Sequence, residues 1–414
     1  MKIAVIGAGV SGLVAARLLY AEHEVTVFEE QGYIGGHTRT VDVDAEGRTF
    51  PVDTGFIVYN EETYPSFTRL LSMLGVATQP STMSFSARCE RTGTEYCPSN
   101  FRTLFAQRMN LLRPAFWRML LDVDRFKRAM TELIRTEDDR PTLGEFIEAG
   151  GYSRMFSDLF LVPMASAIWS AAPGAALAMP ALFFARFFDN HRFLDRAGQP
   201  LWRVVKGGSR NYVAPLTEPF RDRIRLGTPV LSVRRRPDGV EVTPRGGPPE
   251  SFDQAVLAVH SDQALAILSD PTDAEREILS SIRYQENRVV LHTDVSLLPR
   301  RRAAWASWNY LVPAAFEERV SVTYDMNILQ SLPSPVEFLV TLNREEKVRP
   351  ETVLLRTVSH HPVFTRQAVA AQARRAEISG VNRTWYCGAY WGNGFHEDGV
   401  RSAADVGRAF GAVL

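Results

Sequence analysis

At 414 residues the chain is too long for one ordinary core, and two to three domains are expected at roughly 150 residues each. Hydrophobic residues make up 45% and charged residues 23%, a composition that excludes a disordered chain and can bury a large core without staples. Lys plus Arg and Asp plus Glu both number 47, so no global field draws the protein toward a polyanion, and no nucleic-acid partner is expected. The three cysteines, Cys89, Cys97 and Cys387, are odd in number and lack metal-ligand spacing, which predicts free thiols, a reducing cytoplasm and no metal site. No stretch of about 18 uninterrupted apolar residues is present, so nothing is expected to span a bilayer.

Residues 2–6 read as a short buried strand, 11–20 as a helix and 24–28 as a second strand rich in β-branched residues, a βαβ unit. Between the first strand and the helix stands Gly7-Ala8-Gly9-Val10-Ser11-Gly12. In that context Gly7 permits the tight turn, Gly9 lets backbone approach a pyrophosphate, and Gly12 allows close helix packing. The amides around Ser11, at the helix start, then face the anion. These ordered glycines also explain the apolar first twenty residues better than a signal peptide does. Glu29 follows the second strand, where a carboxylate accepts hydrogen bonds from ribose hydroxyls. A flavin and a nicotinamide dinucleotide present the same adenosine diphosphate to such a loop, so the loop does not separate them.

From about 99 to 196 the pattern turns helical and aromatic, with Pro114, Pro163, Pro173 and Pro180 as breakers. Strand signals return at 224–233, 239–243 and 254–259, separated by Pro237-Asp238-Gly239 and Gly246-Gly247-Pro248, and read as a three-stranded meander. Alternation resumes at 287–292 and 320–324; a last strand at 384–387 precedes a final helix at 402–413. The predicted class is α/β: a Rossmann-like dinucleotide domain (parallel sheet plus β-meander) with a second α+β substrate domain inserted in discontinuous pieces. The first is expected at 1–75, 205–275 and 355–414, and the second at 76–204 and 276–354, its mainly helical part at about 99–196.

Glu29-Glu30-Gln31-Gly32-Tyr33-Ile34-Gly35-Gly36-His37 resembles the E-x5-G-G-R stretch of the flavin amine oxidase, protoporphyrinogen oxidase and phytoene desaturase superfamily. The resemblance continues in order through Asp53-Thr54-Gly55, Lys206-Gly207-Gly208-Ser209, Thr228-Pro229-Val230, Tyr386-Cys387-Gly388-Ala389 and Glu397-Asp398-Gly399-Val400. More narrowly, Tyr324-Asp325-Met326-Asn327-Ile328-Leu329-Gln330, Ser359-His360-His361-Pro362-Val363 and Gly394-Phe395-His396-Glu397-Asp398-Gly399 resemble a bacterial amine-oxidase-like subgroup found beside cyclopropane fatty acid synthases. The resemblance implies FAD, bound non-covalently because Cys387 does not match the cysteine that some amine oxidases bond to flavin. With the glycine motif it names as cofactor residues Gly7, Gly9, Ser11, Gly12, Glu29, Gly35, Gly36, His37, Thr38, Asp53, Gly55, Val230, Gly388, Asp398, Gly399 and Val400.

Two departures bear on chemistry. His37 replaces the usual arginine, so a permanent cation becomes a titratable one, with Arg39 a nearby substitute. The lysine that holds a water near the flavin in amine oxidases is absent, and Arg288 occupies the nearest equivalent place, which weakens the expectation of amine oxidation. On the substrate side the resemblance points to Trp391 and Phe395 as contacts, and His396 is expected to accept or donate a proton. Arg288 is the second catalytic candidate. The apolar stretch 155–188 reads as core or as the lining of a tunnel. Between 101 and 130 seven basic residues face only Asp122 and Asp124, interleaved with Phe105, Leu112, Phe116, Trp117 and Leu120, as on a helix lying on anionic lipid or on a solvated surface.

The expected function is an FAD oxidoreductase that passes a hydride between a substrate C–H bond and flavin N5, on a hydrophobic substrate such as a lipid acyl chain, by desaturation or its reverse. The alternatives are an amine oxidase yielding an imine and hydrogen peroxide, and a non-catalytic FAD-binding partner of a lipid-modifying enzyme. The expected location is cytoplasmic, with peripheral contact at the inner membrane face left open.

Overall fold

The computed structural model describes residues 1–195, 198–315 and 319–414; residue 196, the end of the expected helical stretch, lies outside them. Five parallel strands run in the order Ile224–Arg225, Glu24–Phe28, Lys2–Ile6, Gln254–Leu257, Thr384–Tyr386. The middle strand is apolar on both faces because both are covered. Ile3 and Val5 pack with Leu13 and Val14 of the helix Val10–Leu19, and with Val400 and Ala403 of the final helix His396–Ala409. Ala4 and Ile6 point the other way, toward Val233, Val240, Val242 and Phe252 of an antiparallel meander. That meander is Val230–Arg235, Val240–Pro244 and Glu250–Phe252. The expected meander ran from 224 to 259, but its ends, Ile224–Arg225 and Gln254–Leu257, belong to the parallel sheet. The final helix begins six residues before the expected 402, because the Asp398 carboxylate accepts the backbone amides of Asn393 and Phe395 and fixes the chain there.

A second, seven-stranded sheet runs Val353–Val363, Arg283–His292, Leu339–Leu342, Val322–Asp325, Trp308–Val312, Phe85–Cys89, Glu95–Tyr96. The last two strands were not foreseen from the sequence. One face of this sheet shares a core with the helices between Phe101 and Asn190, joining Phe85, Val289, Tyr310 and Val340 to Phe116, Phe126, Leu159 and Phe184. The long helix Pro114–Thr136 starts with proline at its first position and buries Phe116, Met119, Asp122, Phe126, Met130 and Leu133, the three-and-four spacing of one apolar stripe. Asp122 is tolerated in that stripe because Arg118, Arg125 and the Ser153 amide all bond its carboxylate.

Two buried polar knots tie remote segments together. The Asp53 carboxylate accepts the Ser209 amide and hydroxyl, Thr40 Oγ1 at 2.6 Å and Gln330 Nε2 at 3.1 Å. Arg235 Nη1 meets Glu275 Oε1 at 2.8 Å, and Tyr386 OH donates to the same oxygen at 2.6 Å, which joins the meander, the helix Asp273–Ser281 and the last parallel strand. Losing one member of such a buried pair strands the other, at a cost of about 3–5 kcal/mol. Glu275→Ala is therefore expected to lower unfolding stability by about 3 kcal/mol, the low end because Arg235 keeps its pair with the half-exposed Asp270. Denaturant unfolding of the apoprotein checks this, and a loss below about 1 kcal/mol contradicts the assignment.

Candidate functional site

One continuous cavity of about 1060 Å³ runs from the glycine loop to the helical layer. It exceeds the roughly 300–1,000 Å³ of a typical small-molecule site, which suits a dinucleotide and a second molecule together. At one end lie Gly7, Gly9, Ser11, Glu29 and the segment Thr228, Pro229 and Val230. Gly7 has φ +101°, and a side chain there would strike Ala258 O at 2.6 Å; on Gly12 it would begin 1.9 Å from Gly7 O. Gly9 differs, because a Cβ there would meet nothing within 4 Å and would project into open space. The second glycine pair closes on the first loop: Gly35 N donates to Ala8 O at 2.9 Å, and a Cβ on Gly36 would lie 3.1 Å from Gly9 Cα. The result is a bare backbone cradle at a helix N-terminus, the chemistry that holds a phosphate.

Glu29 is 7% exposed, and its oxygens accept the Ala8 amide at 2.7 Å and the Gln31 amide at 2.8 Å. Burial raises its pKa above the ordinary carboxylate value, and those amides pull it back. Each oxygen retains a lone pair for a ribose hydroxyl. His37, Gly55, Gly388, Phe395 and His396 also line the cavity, past the cradle.

Other expected site residues stand behind the wall rather than in it. Thr38 is buried beside Tyr212 and His396, with 2.5 and 3.0 Å contacts to them. Asp53 is consumed by its knot of protein donors. Gly12 and Gly399 are packing glycines: a Cβ on Gly399 would press Ser11 Oγ at 2.9 Å, so it lets the final helix approach the first. Val400 is fully buried in the same contact, and Asp398 caps the final helix and pairs with Arg401. Glu397, the other acid of that motif, accepts the Ser66 and Phe67 amides and so caps the helix Pro65–Met73.

Two expectations are corrected by strand and helix geometry. Arg288 lies on the face of its strand opposite to Val289, which lines the cavity, and its exposed guanidinium pairs with Glu345 at 2.6 Å. It does not reach the cavity. Trp391 sits one residue out of register in the single turn Ala389–Trp391, under the Arg375 guanidinium and against Tyr390; Tyr390 lines the cavity instead.

His396 stacks on Phe56 with ring centroids 3.5 Å apart, and its Nε2 lies 3.0 Å from Thr38 Oγ1 and 3.2 Å from Tyr212 OH. Burial holds its pKa well below the ordinary imidazole value. A cluster completes the middle of the cavity, bringing to His37 the His360-His361 pair, which had no expected role, and His260, which the sequence did not single out: ring separations run from 5.6 to 6.2 Å along His361–His37–His260–His360, and Tyr284 stacks on His260 at 4.1 Å. Desolvation, then mutual repulsion, pushes His260 and His361 down to about 3 and lowers His37. His37, His260 and His361 are therefore neutral near pH 7. No group of three metal-ligating side chains is arranged to hold an ion among the described residues.

The sequence model for flavin-containing amine oxidoreductases matches residues 10–304, more than two thirds of the chain. The chain belongs to that family. This flavin amine oxidoreductase is an FAD-dependent oxidoreductase, and the cavity described above fits its cofactor. No curated protein matches it. Wild-type putrescine oxidase bound to putrescine superposes with a TM-score of 0.70 at 15% identity, over 99% of both chains. Cyclohexylamine oxidase from Brevibacterium oxydans IH-35A gives 0.69 at 16% identity over 99% of both, and a CLA-producing fatty acid isomerase from P. acnes gives 0.68 at 16% identity over 99% of this chain and 98% of that one. At such identities these likenesses establish the fold, while the family match carries the flavin chemistry.

The two loop glycines are expected to fail differently. Gly9→Val folds, since its side chain meets only open space, but it occupies the cradle and the protein purifies colourless with an unchanged circular dichroism spectrum. Gly12→Val collides with Gly7 O and does not accumulate as folded protein. A yellow Gly9→Val protein would misplace the cradle.

The histidines also set a pH dependence. His37, His191, His260, His292, His361 and His396 all have folded pKa values below the reference 6.5, so their contribution to stability is present above that value and is lost as pH falls. Glu29, Asp53, Asp325 and Asp398 are shifted upward, the three aspartates to about 6, and oppose this by gaining relative stability on acidification. Six groups against four set the net sign, and the midpoint of thermal unfolding of the apoprotein is expected to fall between about pH 7 and pH 5. A midpoint that rises on acidification contradicts it.

Proposed function

We propose that the protein passes a hydride between a C–H bond of a hydrophobic substrate, of the lipid acyl class, and the N5 atom of FAD. One observation carries the substrate class. Beyond the cradle the cavity wall is built from Phe126, Phe160, Met164, Trp169, Phe188 and Leu342, while the only carboxylates lining it among the described residues are Glu29 and Glu30, at the cradle end. An alkylamine is cationic near neutral pH, as lysine is, and burying that charge without a partner costs several kcal/mol. A neutral acyl chain gains from the same wall about 0.8 kcal/mol per buried CH₂.

In this proposal Gly7, Gly9, Ser11, Gly35 and Gly36 hold the pyrophosphate, Glu29 the ribose and Val230 the adenine, with His37, Gly55 and Gly388 beside the rest of the cofactor. Bound FAD supplies a two-electron acceptor or donor of hydride. Phe395, stacked on Phe187 at 5.2 Å, packs the chain against the site, and the aromatic wall excludes water from it. His396 has a positioning role, its ring fixed between Phe56 and two hydroxyls. Desaturation removes a hydride from one carbon and a proton from its neighbour and leaves a double bond; reduction runs both transfers backwards. His360, exposed yet lining the same cavity, gives that proton a route to solvent.

The test is anaerobic titration of the holoprotein with dispersed acyl compounds extracted from membranes and, separately, with a panel of alkylamines, followed by flavin absorbance. Bleaching by an acyl compound is expected, with FAD released intact on acid precipitation. Bleaching by amines alone, with peroxide formed on admitting air, would overturn the substrate class and return the protein to amine oxidation.

A further inference from the structure

The helix that walls the cavity also carries part of an exposed apolar patch on its outer side. In the helix Pro114–Thr136, Val123, Phe126 and Lys127 line the cavity, while Trp117 and Leu121, four residues apart on the outer side, are 43% and 69% exposed. Phe101 and Leu112 are 70% and 76% exposed, and Met109 and Leu111 are exposed with them. The group is contiguous: the Phe101 ring lies 4.8 Å from Phe105, Phe105 lies 5.4 Å from Trp117, and Trp117 Nε1 donates to Leu111 O at 2.9 Å. A water-facing surface rarely gathers six large apolar side chains within twenty-one residues.

The charge around this patch selects its partner. Residues 101–128 carry seven basic side chains and two acidic ones in a chain whose formal net charge is zero. Arg125 turns inward onto Asp122 and Tyr152, and Arg113 onto Thr94. Arg118 and Arg128 are exposed, though paired with Asp122 and Asp124. Arg102 and Arg108 are exposed, and neither forms an ion pair with another described residue. No helix is long and apolar enough to cross a membrane among the described residues, so contact of this face with lipid would be peripheral.

We propose that this face docks on an anionic lipid bilayer, with the apolar side chains in the headgroup and acyl boundary and Arg102 and Arg108 against lipid phosphates. Substrate then enters past Pro98 and Ser99, which line the cavity immediately before Phe101. That entry route rests on the hydrophobic-substrate reading. The docking does not.

The experiment is co-sedimentation of holoprotein with phosphatidylcholine vesicles, with and without phosphatidylglycerol, at low and high salt. Binding is expected only to the anionic vesicles and falls as salt rises. R102Q/R108Q weakens it on the order of tenfold and flattens the salt dependence. L112Q/L121Q weakens it without flattening that dependence. Both variants keep full flavin content, since none of the four residues lines the cavity. Equal binding to neutral and anionic vesicles, or none to either, overturns the proposal. A dimer that L112Q/L121Q disperses, in protein that ignores vesicles, assigns the face to a second copy of the chain and overturns it too. Vesicle binding without acyl-driven bleaching removes the substrate reading and leaves the docking standing, and bleaching without vesicle binding does the reverse.

Discussion

A side chain on Gly12 would begin 1.9 Å from the carbonyl of Gly7, and one on Gly7 would begin 2.6 Å from the carbonyl of Ala258. With no side chain at either position the first helix can sit down onto the parallel sheet, and the rest of the site follows from that closeness. Because the helix start sits low, the second glycine pair can lie across it, and the cradle has no side chain in it. The final helix can then cross the first at Gly399, where its own N-terminus brings Phe395 and His396 to the cavity.

Closeness of backbone also means dryness, and dryness governs the electrostatics. The buried imidazoles of His260 and His361 are neutral because a charge there would lose its water, and the neighbouring histidines add to that penalty. The same desolvation raises Asp53 and Asp398 toward 6, yet both stay useful as hydrogen-bond hubs, since a carboxyl surrounded by amides is satisfied in place. A polar framework of this kind keeps the cavity shaped while leaving it without a permanent charge along most of its length.

The glycine loop, Glu29 and the later motifs were legible in the sequence because each needs a residue type that backbone geometry demands. The βαβ unit appears within one residue of its expected bounds, since strands buried on both faces read as unbroken apolar runs. Side-chain direction was less legible. Arg288 matched a functional position by order along the chain, but a one-residue step on a strand exchanges its two faces, and Val289 has the inner one. Trp391 and Tyr390 changed places for the analogous reason in a single helical turn. The motifs around Asp53 and Asp398 were visible, but a motif does not say whether its carboxylate faces a ligand or the protein's own amides. The histidine cluster was hidden because its members come from three separate segments, although Ser359-His360-His361 had already stood out.

The replacement of the family's arginine by His37 and the absence of a lysine near the flavin belong to one pattern. A permanent cation in a dry cavity needs a carboxylate beside it, and both would then need hydrogen bonds that an aromatic wall does not supply. With neutral imidazoles in that region, the wall can be apolar from the histidines to the helix Pro114–Thr136, where Lys127 is the one lysine or arginine that lines the cavity among the described residues, with its ammonium held by the Asp195 carbonyl at 3.0 Å. Cations stand outside instead, with Arg118 and Arg128 exposed on that same helix and Arg102 and Arg108 exposed just before it. That element is apolar toward the cavity and both apolar and basic toward the exterior, and among the described residues that line the cavity, Pro98 and Ser99 included, the only carboxylates are Glu29 and Glu30 at the cradle end.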